Sequence, residues 1–317
     1  SGITAALSNA TRAGNIVGTA EGGLNEISSL LTQLQGLVTA SSNTGGLSPE
    51  EVAANQLQVD SILSTVNRVA GSTNFQGIQL LNGNFDYLTS GVTTTEVSAL
   101  RVNAASVPDS ANVNVSVNVT QSAQTGVVTY SGGTLGAGGA TILVSGSKGA
   151  QQLSFSSGTT VSGIASAVNA VKASTGLSAQ VSGAALRINS TDFGSKSFVA
   201  VSAVSGTFAP SVAKDFGRDA AVQVNGTAAT ANGKDVTVRT AGLDVEFSIG
   251  NLINTTGGAS SFQITGGGAT FSLGSKVTEN SKASIGIGSV TSASLGNANT
   301  GFLNSLGSGG ANALSSG

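Results

Sequence analysis

The stretch Glu21-Gly22-Gly23-Leu24-Asn25-Glu26-Ile27, continued by residues 28–38, decides the fold of the N-terminal third of the chain. Apolar residues recur here at alternating steps of four and three, at Ala20, Leu24, Ile27, Leu31, Leu34 and Val38. This heptad spacing predicts a long amphipathic helix whose seam packs against another helix. Glycines interrupt the helix at Gly14, Gly18, Gly22, Gly23 and Gly36. Each one weakens a helix by roughly 1 kcal/mol relative to Ala, so we expect this helix to depend on tertiary partners.

A second helix is predicted after a break at Asn43-Thr44-Gly45-Gly46. Ser48 has the character of an N-cap, Pro49 fits the first helical position, and Glu51 completes a capping box. The apolar face of this helix consists of Val52, Val59, Ile62, Val66 and Val69, and Gly71 ends it. The two helices are therefore expected to pack as a pair along their apolar faces.

Beyond the helices the hydrophobic period changes to two. Short apolar pieces with turns at Gly77 and Asn82-Gly83 predict a small β-element after Phe75. From about Ala99 the alternation is typical of half-buried strands, as at Val113, Val115, Val117 and Val119. One short amphipathic helix interrupts the strands, with Ile164, Val168 and Val171 on one face.

The fold class is α+β, with an inner helical and hairpin domain over residues 1–105 plus 266–317 and an outer β-rich region over 106–265. The tail from Val290 onward reads as a weak helix or a loosely packed connector.

The composition excludes several classes of function. The 317 residues contain no His, Cys, Met or Trp, and 9% are charged. A Ser-His-Asp triad, a thiol nucleophile and a His/Cys zinc site are therefore impossible. The net charge of −2 argues against nucleic acid, and no apolar run is long enough for membrane insertion. A neutral surface of Ser, Thr, Asn, Gln and Gly suits a chain that packs beside copies of itself.

The remaining candidates for chemistry are weak. Asp244 and Glu246 lie two apart on one predicted strand and share a face, but solvated carboxylates account for them without a metal or a general acid. The glycine-rich stretch 132–139 lacks the Lys-Ser/Thr of a phosphate-binding loop. We therefore assign no catalytic, cofactor-binding or metal-binding residues and expect a protein that is not an enzyme.

The N-terminal third resembles bacterial flagellin. The residues Glu21, Gly22, Leu24, Asn25 and Glu26 match the flagellin signature EGALNEI. The stretch 67–77, which contains Arg68, Phe75 and Gly77, looks like the junction between helix and hairpin in that family. Phe271 to Val277, running into Ile285-Gly286-Ile287, looks like the return into the family's inner domain.

The middle of the chain carries a second resemblance, to the hook IN motif of flagellins and hook-associated proteins. It covers Gly158 to Asn169, Thr175 to Ala179 and Leu186 to Ser190, with Val168-Asn169 in place of Ile-Asn. We place an IN-motif subdomain at about 135–215. Residues 106–121 resemble a strand pair of the filament-cap protein. These middle motifs fit a filament or a cap protein, whereas the motifs at the two ends favour the filament.

The resemblance implies a secreted structural subunit of the flagellar filament, which serves motility at the cell surface. Its implied partners are copies of itself, the flagellar export chaperone, and the hook-associated and cap proteins. Family members begin about fifty residues earlier and end in long helices, so we expect a piece of a longer polypeptide that is monomeric alone. Two alternatives stay open: a hook-associated or cap protein, and a surface adhesin whose outer domains bind glycans. The aromatic content of 4% offers little stacking surface to sugars.

One further implication concerns host recognition. In many flagellins the segment after the signature carries two Arg and one Glu that help bind an animal Toll-like receptor. The ungapped alignment of residues 31–37 places Gln33 and Gln35 at the Arg positions and Gly36 at the Glu position. The resemblance therefore predicts degenerate receptor-contact positions and poor recognition by that receptor.

Overall fold

The computed structural model of the chain describes residues 2–41, 46–107, 112–274, 281–297 and 301–314. Helix α1 is Gly2–Ser41 and helix α2 is Pro49–Ser72. Ile27 of α1 packs in one cluster with Val66 and Val69, whereas Leu34 packs with Val59. The pairing runs in opposite directions along the two helices, so they are antiparallel, which confirms the predicted helix pair. The predicted break at Asn43-Thr44-Gly45 lies outside the described residues.

The start of α2 has the predicted cap. The Glu51 backbone N–H donates to Ser48 Oγ at 3.2 Å, and the Ser48 backbone N–H donates to a Glu51 carboxylate oxygen at 2.7 Å. This confirms the capping box, which satisfies two of the free donors at a helix N-terminus. The helix ends one residue later than predicted, because Thr73 still donates its backbone N–H to Val69 O at 2.9 Å.

A small hairpin follows, with strands β1 (Asn74–Phe75) and β2 (Ile78–Gln79). Gln76 and Gly77 form its two-residue turn with φ of +52° and +84°. Positive φ at both central residues matches a type I′ turn, where glycine adopts the second position without strain. Leu80 and Leu81, just after the hairpin, are fully buried against the helix pair.

Residues 87–267 form the β-rich region. Its elements in chain order are β3 (Tyr87–Ser90), β4 (Val97–Ala105), β5 (Val113–Gln121), β6 (Val127–Tyr130), β7 (Ala140–Gly146), β8 (Gly149–Phe155), α3 (Val161–Ala170), α4 (Lys172–Thr175), β9 (Leu177–Ser182), β10 (Ala185–Ser190), β11 (Phe198–Gly206), β12 (Lys214–Phe216), β13 (Ala221–Val224), β14 (Thr227–Ala228), β15 (Thr230–Asn232), β16 (Asp235–Arg239), β17 (Leu243–Ile249) and β18 (Gly258–Gly267). Each pair of hydrogen-bonded neighbours is antiparallel.

Two sheets form a sandwich. One has the order β14-β13-β5-β18-β3 and the other has the order β15-β16-β17-β4. Their inner faces share one hydrophobic core, to which Val115 and Val117 contribute from β5 and Val245 and Phe247 from β17. The alternation predicted from the valines of β5 is confirmed, because buried and exposed residues alternate along this strand.

A second domain is inserted between β5 and β13. It consists of the sheet β6-β10-β9, the sheet β12-β11-β7-β8 and helix α3, which share a core of their own. Ile164 and Val168 of α3 are fully buried there, and Val171 packs at its margin. The inserted domain thus runs from β6 to β12, residues 127–216, and contains the predicted subdomain at 135–215.

The inner boundary differs from the one predicted at residue 105. Strand β4 pairs with β17 and β3 pairs with β18, so both belong to the sandwich and not to the helical domain. Val97 and Val102 of β4 are buried in the sandwich core. The alternation predicted from about Ala99 does fall on β4, but the sequence pattern does not show which strand β4 pairs with.

The chain returns to the helices through four short strands and a turn of 3-10 helix. The strands are β19 (Ala269–Ser272), β20 (Lys282–Ile285), β21 (Gly296–Asn297) and β22 (Gly301–Phe302). The 3-10 helix is Leu303–Leu306, and its leucines pack on Val59 and Leu63 of α2. The described part of the tail is therefore docked on the helix pair, which corrects the expectation of a loosely packed connector. Of the motif that resembles the family's return, residues 275–277 lie outside the described residues, as does Pro108 of the cap-like strand pair.

Candidate assembly surface on the helix pair

The structure places most of the predicted seam between the helices. Ala20, Ile27 and Leu34 are buried, and Leu31 and Val38 are partly buried against the same clusters. Leu24 is the exception, because it is 38% exposed. The prediction that Leu24 belongs to the packing seam is therefore wrong for this chain.

Gly23 takes the place of Leu24 in the seam. It is buried, and a Cβ added to it would lie 2.6 Å from Thr73 Oγ1 and 2.7 Å from Leu81 Cδ1. Helix α1 therefore approaches the junction between α2 and the hairpin so closely that a side chain does not fit. The sequence pattern missed this position because a hydrophobic periodicity cannot register a residue that packs through its backbone.

The polar residues of the flagellin-like signature point away from the fold. Glu21, Gly22, Asn25 and Glu26 are all exposed. Across the residues that the structure describes, the side chains of Glu21, Asn25 and Glu26 make no hydrogen bond or ion pair. These side chains are therefore accessible to solvent on the outward side of α1.

The remaining signature residues lie around the hairpin. Phe75 is partly buried in the helical core, and the guanidinium of Arg12 lies 5.9 Å from its ring centroid. Arg12 Nη2 also donates to Gln76 Oε1 at 2.6 Å, which ties α1 to the turn that contains Gly77. Arg68 is exposed on α2.

The outward face of α1 has small side chains. Gly14, Gly18 and Gly22 recur every four residues, which places them near one another on the helix surface. At each of them, and at Gly36, a Cβ would meet no atom within 4 Å. Another helix could therefore approach the α1 backbone closely along this face. Gln33, Gln35 and Gly36 are exposed, so all three predicted receptor-contact positions are accessible in the single chain.

A line of polar side chains on α2 holds the tail. Gln56 Nε2 donates to Leu306 O at 2.9 Å, and Gln56 Oε1 accepts from the Leu314 N–H at 2.7 Å. One turn further, the Asp60 carboxylate accepts from the backbone N–H of Ser308 at 2.8 Å and from the Ser308 hydroxyl. The hydrogen bond from the Ser308 hydroxyl is the largest cause that lowers the pKa of Asp60.

The third anchor is Asn67, two turns beyond Asp60. Its side-chain amide donates to Ser292 Oγ at 3.0 Å and accepts from the Ser292 N–H at 2.9 Å. The sequence reasoning missed all three anchors. The available signal was their spacing of four and seven residues, which places Gln56, Asp60 and Asn67 on one face of α2.

The carboxylates considered for chemistry belong to a small ion-pair cluster. Arg239 Nε lies 3.6 Å from Asp244 Oδ2, and Arg239 Nη2 lies 3.4 Å from Glu246 Oε1. Asn103 Nδ2 also donates to Asp244 at 3.1 Å. Within the described ranges, no three Asp or Glu residues are close enough to hold a metal ion. In the same part of the chain, each helix is too short or too polar to cross a membrane.

The structure thus combines a helix pair, whose α1 has open space around Gly14, Gly18 and Gly22, with two β domains that each have a hydrophobic core of their own. Residues 1–86 match the family model described as the bacterial flagellin N-terminal helical region. Residues 141–192 match the flagellin hook IN motif. The chain therefore carries a flagellin helical region at its N-terminus and a flagellin IN motif in its inserted domain.

Relatives with known names match the N-terminal region. Flagellin B of Vibrio cholerae is 39% identical over 84 residues, which is 26% of this chain and 22% of that protein. Polar flagellin F of Vibrio parahaemolyticus is 38% identical over 85 residues, which is 27% of this chain and 22% of the relative. The matched stretch is thus less than a quarter of the length of each relative.

Solved structures show partial similarity over longer stretches. The flagellar cap protein FliD of Escherichia coli has 21% sequence identity and a TM-score of 0.36, covering 66% of this chain and 64% of that one. FliC of Burkholderia pseudomallei has 22% identity and a TM-score of 0.23, covering 40% of this chain and 47% of that chain.

Proposed function

We propose that this protein is a structural subunit of the bacterial flagellar filament that is exported and then assembles with copies of itself at the cell surface. The observation that carries the proposal is the position of the signature residues. Glu21, Asn25 and Glu26 match a flagellin motif and face solvent in the single chain. Because these side chains bind no other described residue of the same chain, they are available for a contact between copies.

The outward face of α1 supports a contact of this kind. With open space around Gly14, Gly18 and Gly22, the backbone of a neighbouring helix can approach closely and gain dispersion contacts over several turns. The low charge of the chain, 9% of residues, keeps the repulsion between many identical copies small. Glycines that weaken the isolated helix thus gain a role in assembly.

The two β domains support the other half of the proposal. Both close their own hydrophobic cores, so they need no neighbouring copy for their stability. In a filament built by the helices they would stand on the outside. By the same resemblance, the export chaperone and the hook-associated and cap proteins are proposed as partners, and the protein is not an enzyme.

The test replaces Gly18 with Leu in the complete gene product. Leu favours helix over Gly by roughly 1 kcal/mol, so the single helix is not weakened, but its side chain fills the open face. We expect normal secretion and circular dichroism with loss of filaments in electron microscopy. The matched control is Gly136→Leu, which also enters open space but lies in the inserted domain.

Wild-type filament length for Gly18→Leu would contradict the proposal. Assembly of only a few copies at a filament tip, counted by quantitative mass spectrometry of purified flagella, would favour the alternative of a cap or hook-associated protein.

A further inference from the structure

The inserted domain has one open sheet face. Strands β12, β11, β7 and β8 bury one face in the domain core, where Val144, Val199 and Val201 are fully buried or nearly so. Their alternate residues form the opposite face, which includes Phe198, Lys214 and Phe216. Phe198 and Phe216 are direct cross-strand partners, and Lys214 lies two residues before Phe216 on the same face. The strand register thus brings together aromatic residues that are distant in sequence.

The ammonium group of Lys214 lies between the two aromatic rings. Its Nζ is 4.3 Å from the Phe198 centroid and 4.4 Å from the Phe216 centroid. The ring centroids are 5.9 Å apart and their planes are inclined by 49°. Both distances are within the range of favourable cation–π interactions, so the rings hold the flexible lysine in one place.

The donors of this ammonium group remain open. Within the part of the chain that the structure describes, no carboxylate lies within 4.0 Å of Lys214, and its Nζ donates no hydrogen bond. The neighbouring Asp215 is on the opposite side of β12, where it accepts from the Val127 N–H at 2.8 Å. A positioned cation with free N–H donors and no counter-ion is suited to an anionic ligand.

The surroundings of Lys214 combine apolar and hydroxyl groups. Phe216 is 55% exposed and Leu143 is 36% exposed on this sheet. Ser145 lies in the same cross-strand row as Lys214, with Ala200 between them. A sugar ring presents an apolar face, which can lie on an aromatic ring, and hydroxyl groups, which can bond to side chains like that of Ser145.

The charge of the inserted domain adds to the selectivity. Its basic residues are Lys148, Lys172, Arg187, Lys196 and Lys214, and its acidic residues are Asp192 and Asp215. The domain therefore has a net charge of +3, whereas the whole chain has −2. An acidic polymer is attracted to this domain and repelled by the rest of the protein.

We propose that the open sheet face of the inserted domain binds an acidic polysaccharide whose uronate carboxylate accepts hydrogen bonds from Lys214 while its sugar ring lies against Phe216. Nucleic acid fits less well, because its dense phosphates require several clustered cations and this face presents one. The proposal goes beyond filament assembly and gives the outer region a ligand. Although the aromatic content of 4% offers little stacking surface overall, the two rings on this face are concentrated at one place.

The experiment titrates the purified chain with oligogalacturonate of ten sugars by isothermal calorimetry in low salt. Fully methyl-esterified oligogalacturonate is the matched ligand, because it keeps the sugars and removes the carboxylate charge. The test variants are Lys214→Gln and Phe216→Ala, and Lys214→Arg keeps the charge. Lys172→Gln is the matched control, since it removes the same charge from the same domain at an exposed position on α4.

We expect the charged ligand to bind and the ester to bind at least tenfold more weakly. Lys214→Gln should lose about tenfold or more in affinity, as expected for a charged hydrogen bond. Phe216→Ala should also weaken binding, whereas Lys172→Gln and Lys214→Arg should stay within about threefold of the wild type. Both Phe216 and Lys214 are exposed, so thermal unfolding should remain unchanged and separate binding from folding.

If Lys214→Gln and Lys172→Gln lost the same amount of affinity, binding would depend only on the overall charge of the domain. This result would overturn the proposed site. Equal binding of the ester and the acid would overturn the role of the carboxylate. Self-association of the chain through this face, seen as a Lys214-dependent dimer in sedimentation, would also count against it. Because all measurements use the unassembled chain, they are independent of filament formation.

Discussion

The helix pair and the β-rich region differ in how completely they bury their own apolar residues. The sandwich and the inserted domain have cores of twenty and fifteen buried residues, whereas the helix pair and the segments packed on it divide theirs between one cluster of eight and one of three. Both regions also expose single large apolar residues, such as Leu57 at 69% on α2 and Leu252 at 65% in the sandwich. Each β domain therefore buries its apolar residues in one larger core, whereas the helical region has two smaller clusters.

This difference separates two tasks within one chain. A region that contacts copies of itself must leave part of its surface unsatisfied until assembly, while a region that faces outward must be stable alone. Glycine has different uses within the helix pair and its hairpin. In α1 it opens a face to a neighbour at Gly18 and closes a contact at Gly23, whereas Gly77 only allows a tight turn.

The largest effect is expected from cutting the outer region at two alternative positions. A fragment of residues 87–267 should fold cooperatively, because it contains the complete sandwich and the inserted domain. A fragment of 106–265, the boundaries predicted from the sequence, lacks β3 and β4 and would expose Val245, Phe247 and Ile249 of β17. Each of these side chains that becomes exposed lowers the free energy of unfolding by about 1.5–3 kcal/mol. We expect its sandwich to be unfolded.

The measurement is heteronuclear NMR together with calorimetry on both fragments. In the shorter fragment the inserted domain, residues 127–216, should still give dispersed signals and serves as the internal control. A cooperative sandwich transition in the 106–265 fragment would remove the proposed distinction between the boundaries.

The next effect concerns what the exposed helix surface can bind. The resemblance to flagellins predicts that Gln33, Gln35 and Gly36 lack the charged groups used for Toll-like receptor recognition. Charged hydrogen bonds contribute ~1.5–3 kcal/mol each, so the loss of two weakens binding by roughly a hundredfold or more. The triple variant Gln33→Arg, Gln35→Arg, Gly36→Glu should therefore gain signal in a reporter-cell assay.

Gln58→Arg on α2 provides the control for added charge, since Gln58 is also exposed. It should leave the signal low. Strong signalling by the unmodified chain would show that the degenerate positions do not matter.

A smaller effect tests the close contact between α1 and the hairpin junction. Gly23→Leu forces a side chain against Thr73 and Leu81 and should destabilise the helix pair by about 1–3 kcal/mol. Gly22→Ala, one residue away in open space, should instead stabilise it by up to ~1 kcal/mol. Hydrogen exchange of α1 and α2 measures both changes, and the β domains should be unaffected. If both variants destabilised the helix pair, or both stabilised it, the proposed packing of Gly23 in the seam would be contradicted.

The features that could be predicted from the sequence are those that arise from repeated local patterns. The capping box at Ser48 and Glu51, the alternating valines of β5 and the short helix around Val168 are local signals with a fixed period. The seam position at Gly23 could not be predicted in this way. Gly23 packs through its backbone, so the hydrophobic pattern assigned the position to the neighbouring Leu24 instead. The boundary at residue 105 was misplaced because the pairing of β4 with β17 is a long-range contact that the period of two does not report.

Long-range contacts account for the rest. The tail anchors Asp60 and Ser308 are far apart in sequence, and both look like ordinary surface residues until the fold brings them together. The same holds for Phe198 and Phe216, whose pairing depends on the strand register of β11 and β12. No local sequence pattern predicts the docking of the tail or the two aromatic rings beside Lys214.

The smallest effect is expected at the joint between the two β domains. The Asp219 carboxylate accepts from the Ser195 hydroxyl at 2.5 Å and N–H at 3.0 Å, and from the Gly233 N–H at 2.6 Å. Ser195 belongs to the inserted domain and Gly233 to the sandwich, so this carboxylate links them. The hydrogen bond from the Ser195 hydroxyl is the largest cause that lowers the pKa of Asp219 from 3.8.

A pKa that is lower in the folded state means that the ionised carboxylate stabilises the joint. This contribution is fully present well above the ordinary aspartate pKa of 3.8, from roughly pH 5, and is lost as the pH falls through the folded pKa. Asp219→Asn should therefore lower the unfolding temperature at pH 7 and make little difference near pH 2. The free energy of unfolding at pH 7 should fall by roughly 1 kcal/mol, because charged hydrogen bonds contribute less at a partly exposed site.

Asp192→Asn is the control, since the Asp192 carboxylate accepts no hydrogen bond from the described residues. Equal pH profiles for the wild type and Asp219→Asn would show that the two outer domains are joined without this carboxylate.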